Sequence, residues 1–491
     1  MSCSLGSSRF EFSAQEIADA VKHKRLLSME IELSLRCNFS CPYCYASKDE
    51  VENELTPEEI RDAIIQAKNL GAKKIIILGG EPMIYPGFWA VVDFILTNGL
   101  VVELFTNGSV IDAPTAKKLF EKKINVVLKM NSFDKHLQDQ LTGVDGSHAI
   151  IQDALNSLKT AGYAKGDDPF LAVSTIICKQ NIGELFSFWG WLRAQNIIPY
   201  FEMITPQGNA AGNDWLYVEP QAVHKLFNDI CKFDKEKYNI EWQPQPPLAG
   251  AKCMRHLFSC VVTSRGDVYP CVGVNVSVGN IRDRKLAEII ADSEVVGNLR
   301  DWRNTIKGPC RNCDKAQECY GCRGAAYQMT GDYLASDPLC WHNEKRIDEI
   351  VRFPIDAKKL MPHKPPMVFI DTLEMVGERV ASASVTIKKD WFFVDENGFL
   401  DEAMYMELIA QAAAALNGFE ALSQNSQGFQ GFLLGARKLR VFKKACVGDR
   451  LGISLFKYAK YGDFGIVKAQ VTANCELLAE GEVKIWHKNN V

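Results

Sequence analysis

Short apolar runs alternate with amphipathic stretches from about residue 30 to residue 205. The runs are rich in β-branched and aromatic residues and are apolar on both faces, which is typical of strands in a buried parallel sheet. They occupy residues 29–35, 75–78, 100–105, 124–130, 170–178 and 197–204. About six strand–helix units in succession predict a partial (β/α)6 parallel barrel, with its chemistry at the carboxyl ends of the strands.

The helix that precedes the second strand carries clear start and stop signals. Thr56 is placed to cap it, Pro57 takes the first helical position and Glu59 completes a capping box. An apolar stripe follows, and Gly71 ends the helix. Further helices are predicted over residues 86–98, 112–122, 147–161 and 182–195.

The pattern changes twice further along the chain. Residues 206–250 lose the alternation, become rich in glycine and proline, and are interpreted as a boundary. Residues 253–345 hold many cysteines but few long periodic runs, as expected of a small domain that metals stabilise. From about residue 352, a long helical pattern over 400–422 precedes strand patterns at 436–442, 451–457 and 465–473.

These changes predict three domains of an α/β protein. They are a parallel barrel at 22–245, a small Cys-rich cluster-binding domain at 246–345 and an α+β domain at 352–491.

Composition narrows the classes of function. The chain has 491 residues, of which 47% are apolar and 24% charged, an ordinary globular composition. Its 56 basic and 60 acidic residues give a net charge of −4, so neither nucleic acid nor a membrane surface is an expected partner. No apolar run approaches the ~20 residues of a membrane span. The N-terminus lacks a signal-peptide pattern, so a soluble cytoplasmic protein is expected.

The 16 cysteines are the unusual feature of the composition. In a long chain without a signal peptide, they favour metal binding or catalysis over disulfides. Eleven of them form three blocks, which are Cys37, Cys41 and Cys44, then Cys253, Cys260 and Cys271, then Cys310, Cys313, Cys319, Cys322 and Cys340. The isolated cysteines, expected to be unliganded, are Cys3, Cys178, Cys231, Cys446 and Cys475.

The first block, CNFSCPYC, directly follows the first predicted strand and is therefore expected at the carboxyl end of the barrel. Three thiolates leave one iron of a four-iron cluster without a protein ligand, so that iron is open to a substrate or cofactor. A zinc site that borrows a fourth ligand and a set of unpaired thiols are the alternatives.

This CxxxCxxC motif, with the aromatic Tyr43 before its last cysteine, resembles the radical S-adenosylmethionine (SAM) superfamily. The resemblance implies a [4Fe–4S] cluster on Cys37, Cys41 and Cys44, with SAM on the fourth iron. It also implies reductive cleavage of SAM to a 5′-deoxyadenosyl radical. Tyr43 stands where the family contacts the adenine.

Further residues match the SAM-binding positions of that family. Gly79, Gly80 and Glu81 end the second strand as the motif for the SAM amine does; glycines allow close backbone approach, and Glu81 offers an anion to an ammonium group. Polar residues at the ends of the third and fourth strands match positions that contact the ribose or carboxylate of SAM. These are Thr106, Asn107, Asn131 and Ser132. Asn107 can alternatively be a turn residue, and Asn131 and Ser132 part of a polar loop.

The second and third blocks contain eight thiolates, enough for two more four-ligand clusters. Their spacings resemble the SPASM extension of radical SAM enzymes, which implies two auxiliary [4Fe–4S] clusters. By that resemblance one cluster takes Cys253, Cys260, Cys271 and Cys322, and the other takes Cys310, Cys313, Cys319 and Cys340. A zinc ribbon at 310–322 is the alternative.

Two features depart from the SPASM pattern. Two residues, not the usual three, separate Cys319 from Cys322. Val272 follows Cys271 where sulfatase-maturing members have an aspartate base, which argues against sulfatase maturation.

The stretches MELIAQAAAAL, GFLLGARKLRVF and VGDRL, with MPHKPPM at 361–367 as an opening strand, resemble the hotdog fold of 3-hydroxyacyl-carrier-protein dehydratases. Glu407 matches the catalytic carboxylate of that family, but Phe393 stands where its histidine would be, so ordinary dehydration is not expected. Glu407 and Gln411 lie one helical turn apart. Both could instead serve only to satisfy buried backbone groups, and His363 is expected to be structural. Binding or docking of an acyl thioester, with dimerisation through the sheet, is the preferred interpretation.

Together these resemblances imply a radical SAM oxidoreductase that abstracts hydrogen from an acyl or aminoacyl thioester on a carrier protein. The alternative is a peptide- or protein-modifying radical SAM/SPASM enzyme that uses the hotdog domain for dimerisation, although no leader-peptide-binding domain is expected before residue 25. A zinc-ribbon interaction protein, and an enzyme in which Glu407 acts on the radical product, are further alternatives. Expected partners are an electron donor such as flavodoxin or ferredoxin, a carrier protein or peptide, and a second copy of the chain.

Overall fold

The computed structural model describes residues 12–46, 52–166, 168–343, 353–376, 380–423, 430–461, 464–473 and 476–488. The chain forms two compact units. The first comprises Met1–Gln328 with Tyr333–Ile350, and the second comprises Met329–Asp332 with Val351–Val491. Each unit has its own hydrophobic core, as domains do.

The strands of the first unit form one sheet. They are β1 (Ser28–Glu32), β2 (Lys74–Leu78), β3 (Val101–Thr106), β4 (Asn125–Lys129), β5 (Leu171–Ile177), β6 (Ile198–Met203), β7 (Val261–Val262), β8 (Asp267–Tyr269) and β9 (Gly279–Asn280). The order is β6-β5-β4-β3-β2-β1-β7-β8-β9, with every pair from β6 to β7 parallel and the last two pairs antiparallel. All six predicted strands form, which confirms the parallel α/β architecture.

The helices in residues 12–343 alternate with the parallel strands and continue through the Cys-rich segment. They are α1 (Ala14–Lys22), α2 (Pro57–Asn69), α3 (Phe88–Thr97), α4 (Ala113–Glu121), α5 (Lys135–Thr142), α6 (Ser147–Ala161), α7 (Leu185–Ala194), α8 (Pro220–Tyr238), α9 (Arg255–Phe258), α10 (Leu286–Asp292), α11 (Glu294–Arg300), α12 (Trp302–Thr305) and α13 (Arg323–Thr330). The predicted capping box of α2 is present, because the Thr56 hydroxyl accepts from the Glu59 N–H at 3.2 Å and the Glu59 carboxylate accepts from the Thr56 N–H at 2.8 Å.

Helix α8 corrects the prediction that residues 206–250 carry no periodic element. It begins with Pro220 at the first helical position and buries an i, i+3, i+4, i+7 stripe that includes Val223, Leu226 and Ile230. Abundant charged residues around this stripe lower the mean hydropathy of the segment, which is why it was interpreted as a boundary.

Helix α8 is anchored by a buried carboxylate. Asp234 is fully buried and accepts hydrogen bonds from Trp189 Nε1 at 2.8 Å, Arg193 Nη2 at 2.9 Å and Trp242 Nε1 at 3.1 Å. We expect Asp234→Ala to lower the free energy of unfolding by about 3–5 kcal/mol, because it leaves a guanidinium and two indole N–H groups without their acceptor. Thermal unfolding of the full chain measures the loss.

Asp229 provides the matched control on the same helix. It is exposed and pairs with Lys225 one turn away at 2.6 Å, so Asp229→Ala should cost about 0.5 kcal/mol or less. Equal losses from the two substitutions would show that the buried network does not stabilise the fold.

The second unit places one long helix, α14 (Met404–Ser423), against an antiparallel sheet. The strands are β10 (Ile355–Asp356), β11 (Thr372–Val376), β12 (Val380–Thr386), β13 (Gln430–Val441), β14 (Arg450–Tyr461), β15 (Phe464–Ala473) and β16 (Glu476–Lys488). Their order is β10-β11-β12-β14-β15-β16-β13. This arrangement confirms the predicted α+β hotdog architecture.

Residues 361–367 were predicted as the opening strand of this unit, and that prediction is wrong. The segment lies between β10 and β11 without belonging to a strand. Its two adjacent prolines, Pro365 and Pro366, have no N–H to donate, which disfavours a strand there.

None of the helices in the described ranges combines the length and the apolar character needed to cross a membrane.

Candidate functional site

A cavity of about 320 Å³ lies at the carboxyl ends of the parallel strands in the first unit. Strand-end residues such as Leu78 of β2 and Thr106 of β3 form part of its wall. A parallel α/β fold places ligands at this edge of the sheet. Six of the predicted cluster ligands line the cavity, namely Cys37, Cys41, Cys44, Cys253, Cys271 and Cys322.

The first cysteine block forms a loop after β1. The Cys44 N–H donates to the Cys41 carbonyl at 3.1 Å, which turns the chain so that the cysteines face the same cavity. Burial raises the pKa of Cys41 to about 12, and a hydrogen bond from the Tyr43 hydroxyl opposes that rise. Metal binding must therefore displace a proton from this buried thiol.

Gly79 and Gly80 bring the end of β2 into backbone contact with this loop. The Gly80 N–H donates to the Ser34 carbonyl at 2.9 Å, and the next N–H, that of Glu81, donates to the Arg36 carbonyl at 2.8 Å. A Cβ on Gly80 would lie 2.1 Å from the Arg36 oxygen, which leaves no space for a side chain. Both glycines line the cavity, as the predicted SAM-amine motif requires.

The Glu81 side chain does not line the cavity, although it was predicted to face the SAM ammonium. It is buried, and its two oxygens accept from the Thr106 hydroxyl at 2.8 Å, the Asn107 N–H at 2.7 Å and the Met83 N–H at 3.1 Å. Burial raises the pKa of Glu81 to about 7, against these hydrogen bonds. Glu81 therefore ties the end of β2 to the end of β3, and Thr106 and Asn107 form part of the cavity wall.

Asn131 and Ser132 lie behind the cavity wall. The Asn131 amide donates to the Tyr43 hydroxyl at 2.7 Å and accepts from the Ile176 N–H at 3.0 Å, so it fixes Tyr43 against the sheet. The Ser132 hydroxyl accepts from the Asp134 N–H at 2.9 Å. Neither residue is among those that line the cavity, whereas Tyr43 is.

The structure brings Cys253, Cys271 and Cys322 together on the far wall of the same cavity. The charges of Cys253 and Cys271 contribute to the raised pKa of Cys322, after the larger effect of burial. Backbones meet beside these thiols, since a Cβ on Gly273 would lie 2.8 Å from the Gly324 Cα. Cys260, predicted for the same cluster, is buried in the main core instead and does not line the cavity.

The other predicted set also converges. The pKa of Cys340 is raised by burial and by the charges of Asp337, Cys310 and Cys319. The pKa of Cys313 is raised by burial and, among smaller effects, by the charge of Cys310. The Asn343 amide donates to the Cys310 sulfur at 3.3 Å. The four cysteines implied for the second auxiliary cluster therefore lie near one another.

The surroundings of the thiols suit iron–sulfur clusters. Backbone N–H groups donate to the sulfurs of Cys37, Cys313, Cys319 and Cys322 at 3.3 to 3.5 Å, and such bonds stabilise the thiolate that binds iron. Across the described ranges, no three His, Cys, Asp or Glu side chains are arranged around a single metal ion. In a four-iron cluster each cysteine binds a different iron, so its thiols are spaced more widely than zinc ligands.

The residues of the cavity wall that were not predicted from the sequence include three with basic side chains: Arg255, His256 and Arg323. Arg255 donates to Glu30 at 3.0 Å and to the Tyr200 hydroxyl at 2.6 Å. Arg323 is buried and donates through Nη1 to two carbonyls, while its Nε and Nη2 atoms have no hydrogen-bond partner in the described part of the chain. Each residue lies within three positions of a predicted cysteine ligand, and this proximity in sequence is the feature that could have identified it.

Glu407 in the second unit is half-buried on α14. It accepts from the Gln411 amide at 2.8 Å, and Gln411 in turn donates to the Met367 carbonyl at 3.0 Å and accepts from the Phe369 N–H at 2.8 Å. Phe393 packs on Phe369 with ring centroids 5.8 Å apart. Gln411 therefore satisfies buried backbone groups and orients the Glu407 carboxylate.

Family models match three regions of the chain. The radical SAM superfamily matches residues 31–185, the SPASM iron–sulfur cluster-binding domain matches 253–314, and the ApeP-like family, described as ApeP dehydratase, matches 355–491.

Relatives match 63% of this chain over most of their own length. The AdoMet-dependent heme synthase of Methanosarcina barkeri is 28% identical over 337 residues, which cover 63% of this chain and 94% of that protein. The mycofactocin maturase MftC of Mycolicibacterium smegmatis is 26% identical over 325 residues, which cover 63% of this chain and 81% of that protein.

A solved structure shares the fold. Streptococcus suis SuiB bound to S-adenosylmethionine aligns with a TM-score of 0.52 at 18% identity, covering 67% of this chain and 80% of that one. With the cysteine-lined cavity and the three family matches, this likeness agrees with the fold class predicted from the sequence. The chain is therefore an enzyme with a radical SAM domain that binds SAM and a [4Fe–4S] cluster, a SPASM region that binds auxiliary iron–sulfur clusters, and an ApeP-like dehydratase domain.

Proposed function

We propose that this enzyme abstracts hydrogen from an acyl or aminoacyl group that a carrier protein presents as a thioester. The observation that carries the proposal is the dehydratase-type domain on the same chain as the radical SAM domain. The dehydratases that this domain resembles act on acyl groups of carrier proteins. A chain that joins the two domains supports a substrate of the same chemical class.

The cavity also supports an acyl substrate. Its wall includes the apolar side chains of Phe39, Phe105 and Ile204, which suit a hydrocarbon chain. Arg323, whose Nε and Nη2 atoms have no hydrogen-bond partner among the described residues, brings positive charge to the same wall, where it can bind a carbonyl or carboxylate oxygen.

Cys37, Cys41 and Cys44 would hold the first [4Fe–4S] cluster, with Tyr43, Gly79, Gly80, Thr106 and Asn107 lining the space for SAM. When bound and reduced, this cluster with SAM supplies the 5′-deoxyadenosyl radical that abstracts hydrogen. Glu81, Asn131 and Ser132 act as positioning residues behind that wall.

Seven of the eight remaining cysteines of the motifs, all except Cys260, would serve the auxiliary clusters, which relay electrons or accept one from the substrate. Flavodoxin or ferredoxin is the proposed electron donor. The antiparallel sheet of the second unit is the proposed dimer interface.

The test is the yield of 5′-deoxyadenosine from anaerobically reconstituted protein. The full chain and a version ending at residue 352 are each given acyl-pantetheine thioesters, acyl-carrier protein and short peptides. The radical SAM and SPASM matches both end before residue 352, so the shorter version is expected to fold and to cleave SAM. We expect thioesters to raise the yield in the full chain and to have little effect in the shorter one.

A peptide substrate is the second candidate, and a protein of the same fold, Streptococcus suis SuiB, solved bound to precursor peptide SuiA, favours it. Peptides that raise the yield equally in both versions would support this candidate and overturn the thioester proposal.

Glu407 is the proposed catalytic residue of the dehydratase-type domain. Glu407→Gln keeps the hydrogen bond to Gln411 possible but removes the carboxylate. If this domain acts on the radical product, the substitution should leave 5′-deoxyadenosine formation unchanged and alter the final product, as seen by mass spectrometry. An unchanged product would restrict the domain to binding and dimerisation.

A further inference from the structure

The auxiliary site beside the cavity is one ligand short. Cys253, Cys271 and Cys322 line the cavity together, whereas a [4Fe–4S] cluster held entirely by protein has four ligands. The fourth cysteine implied by the SPASM resemblance, Cys260, lies elsewhere.

Cys260 directly precedes β7, and its carbonyl accepts from the Glu30 N–H at 2.9 Å, so the side-chain alternation of the strand extends to it. Val261 lies opposite Glu30 in the register between β1 and β7. Successive side chains of a strand face opposite sides, so Cys260 and Val262 face away from the side of Val261. Cys260 and Val262 accordingly belong to the main hydrophobic core, and Val261, equally buried, does not.

His256 lines the same cavity as Cys253, Cys271 and Cys322 and can supply a fourth ligand. It lies three residues after Cys253 at the start of α9, so the two side chains can reach the same site. His256 is only 5% exposed, lines the cavity and has a buried Nδ1 atom with no hydrogen-bond partner among the described residues. Its ring centroid is 5.4 Å from that of Tyr320, whose hydroxyl lies 4.0 Å from the Cys253 sulfur.

We propose that His256, not Cys260, completes the ligand set of Cys253, Cys271 and Cys322. Imidazole nitrogen is an established iron ligand in iron–sulfur proteins, and a buried nitrogen without a partner is costly unless a ligand or metal satisfies it. A neutral imidazole in place of a thiolate makes the cluster less negative and raises its reduction potential. This inference concerns the cofactor and holds for either substrate class.

The test uses the full chain with Cys37, Cys41 and Cys44 all replaced by alanine, so that only the auxiliary clusters remain. His256→Cys and Cys260→Ser are added separately, and His136→Gln, an exposed histidine on α5, is the control. We expect the parent, Cys260→Ser and control proteins to hold about eight irons per chain. Pulsed EPR of the reduced parent should show coupling to a histidine nitrogen, identified by ¹⁵N-histidine labelling.

His256→Cys should keep the iron, lose the nitrogen coupling and lower the midpoint potential of that cluster. Because the new cysteine supplies a thiolate in place of the imidazole, the cluster can still assemble. Loss of the nitrogen coupling in His256→Cys therefore cannot be attributed to loss of the cluster. Absence of nitrogen coupling in the parent protein would overturn the proposal. It would also be overturned if Cys260→Ser lost about half of the iron while His256→Cys left both the nitrogen coupling and the midpoint potential unchanged.

Discussion

Gly80→Ala is expected to reduce 5′-deoxyadenosine formation by about 100-fold or more. The new methyl group would lie 2.1 Å from the Arg36 oxygen and 2.6 Å from the Leu35 oxygen, both in backbone. Neither can move without breaking the hydrogen bonds that join the end of β2 to the loop before Cys37. A displacement of about 1 Å in a site that positions reactants can cost about 100-fold in rate.

The measurement separates binding from folding. Anaerobic 5′-deoxyadenosine yield and the effect of SAM on the EPR spectrum of the reduced first cluster are both expected to be lost. Gly183→Ala is the control, because no atom lies within 4 Å of its added Cβ. If SAM still changes the EPR spectrum of the reduced first cluster in Gly80→Ala, the backbone contact between Gly80 and Arg36 does not shape the SAM site.

Asp337→Ala is expected to remove both auxiliary clusters, about two thirds of the iron. Asp337 is fully buried and accepts from the Cys322 N–H at 2.7 Å and the Leu339 N–H at 2.9 Å. Its carbonyl accepts from Asn343, which also donates to Cys310. The side chain therefore connects a cysteine of one predicted auxiliary site with the backbone next to the other.

Loss of this carboxylate leaves two buried N–H groups unpaired, at about 1–3 kcal/mol each, and removes a negative charge that interacts with Arg323. A small cluster-binding segment has little core to absorb that cost. Iron and sulfide content and the thermal unfolding temperature measure the result. Glu318→Ala, an exposed residue that pairs with Lys252 in the same segment, should leave the iron unchanged; equal iron in both variants would contradict the prediction.

The parallel core could be predicted from the sequence because its strands are apolar on both faces. Ile75, Ile76 and Ile77 are all buried, as expected of a short strand that is covered on both faces of a parallel sheet. Helix α8 was missed because its buried stripe is surrounded by charged residues, and the strand at 361–367 was wrongly predicted from family likeness where two prolines disfavour it.

Cysteine spacing predicted the number of candidate ligands, but not on which side of the sheet each side chain lies. Cys260 directly precedes a short strand, β7, whose register with β1 is visible only in the structure. Likewise, Arg255 and Arg323 are far apart in sequence and reach one cavity through the fold. The direction of the Glu81 carboxylate depended on Thr106 and Asn107 from another strand, which no local pattern encodes.

The close approach of Gly273 and Gly324 limits how this protein can change in evolution. A Cβ on either residue would fall within 3 Å of the Cα of the other, next to Cys271 and Cys322. A clash between two residues is ordinarily relieved by making the second one smaller, but glycine has nothing to remove. A larger residue at either position therefore cannot be compensated by a smaller one at the other, whereas such compensation is possible for most buried contacts.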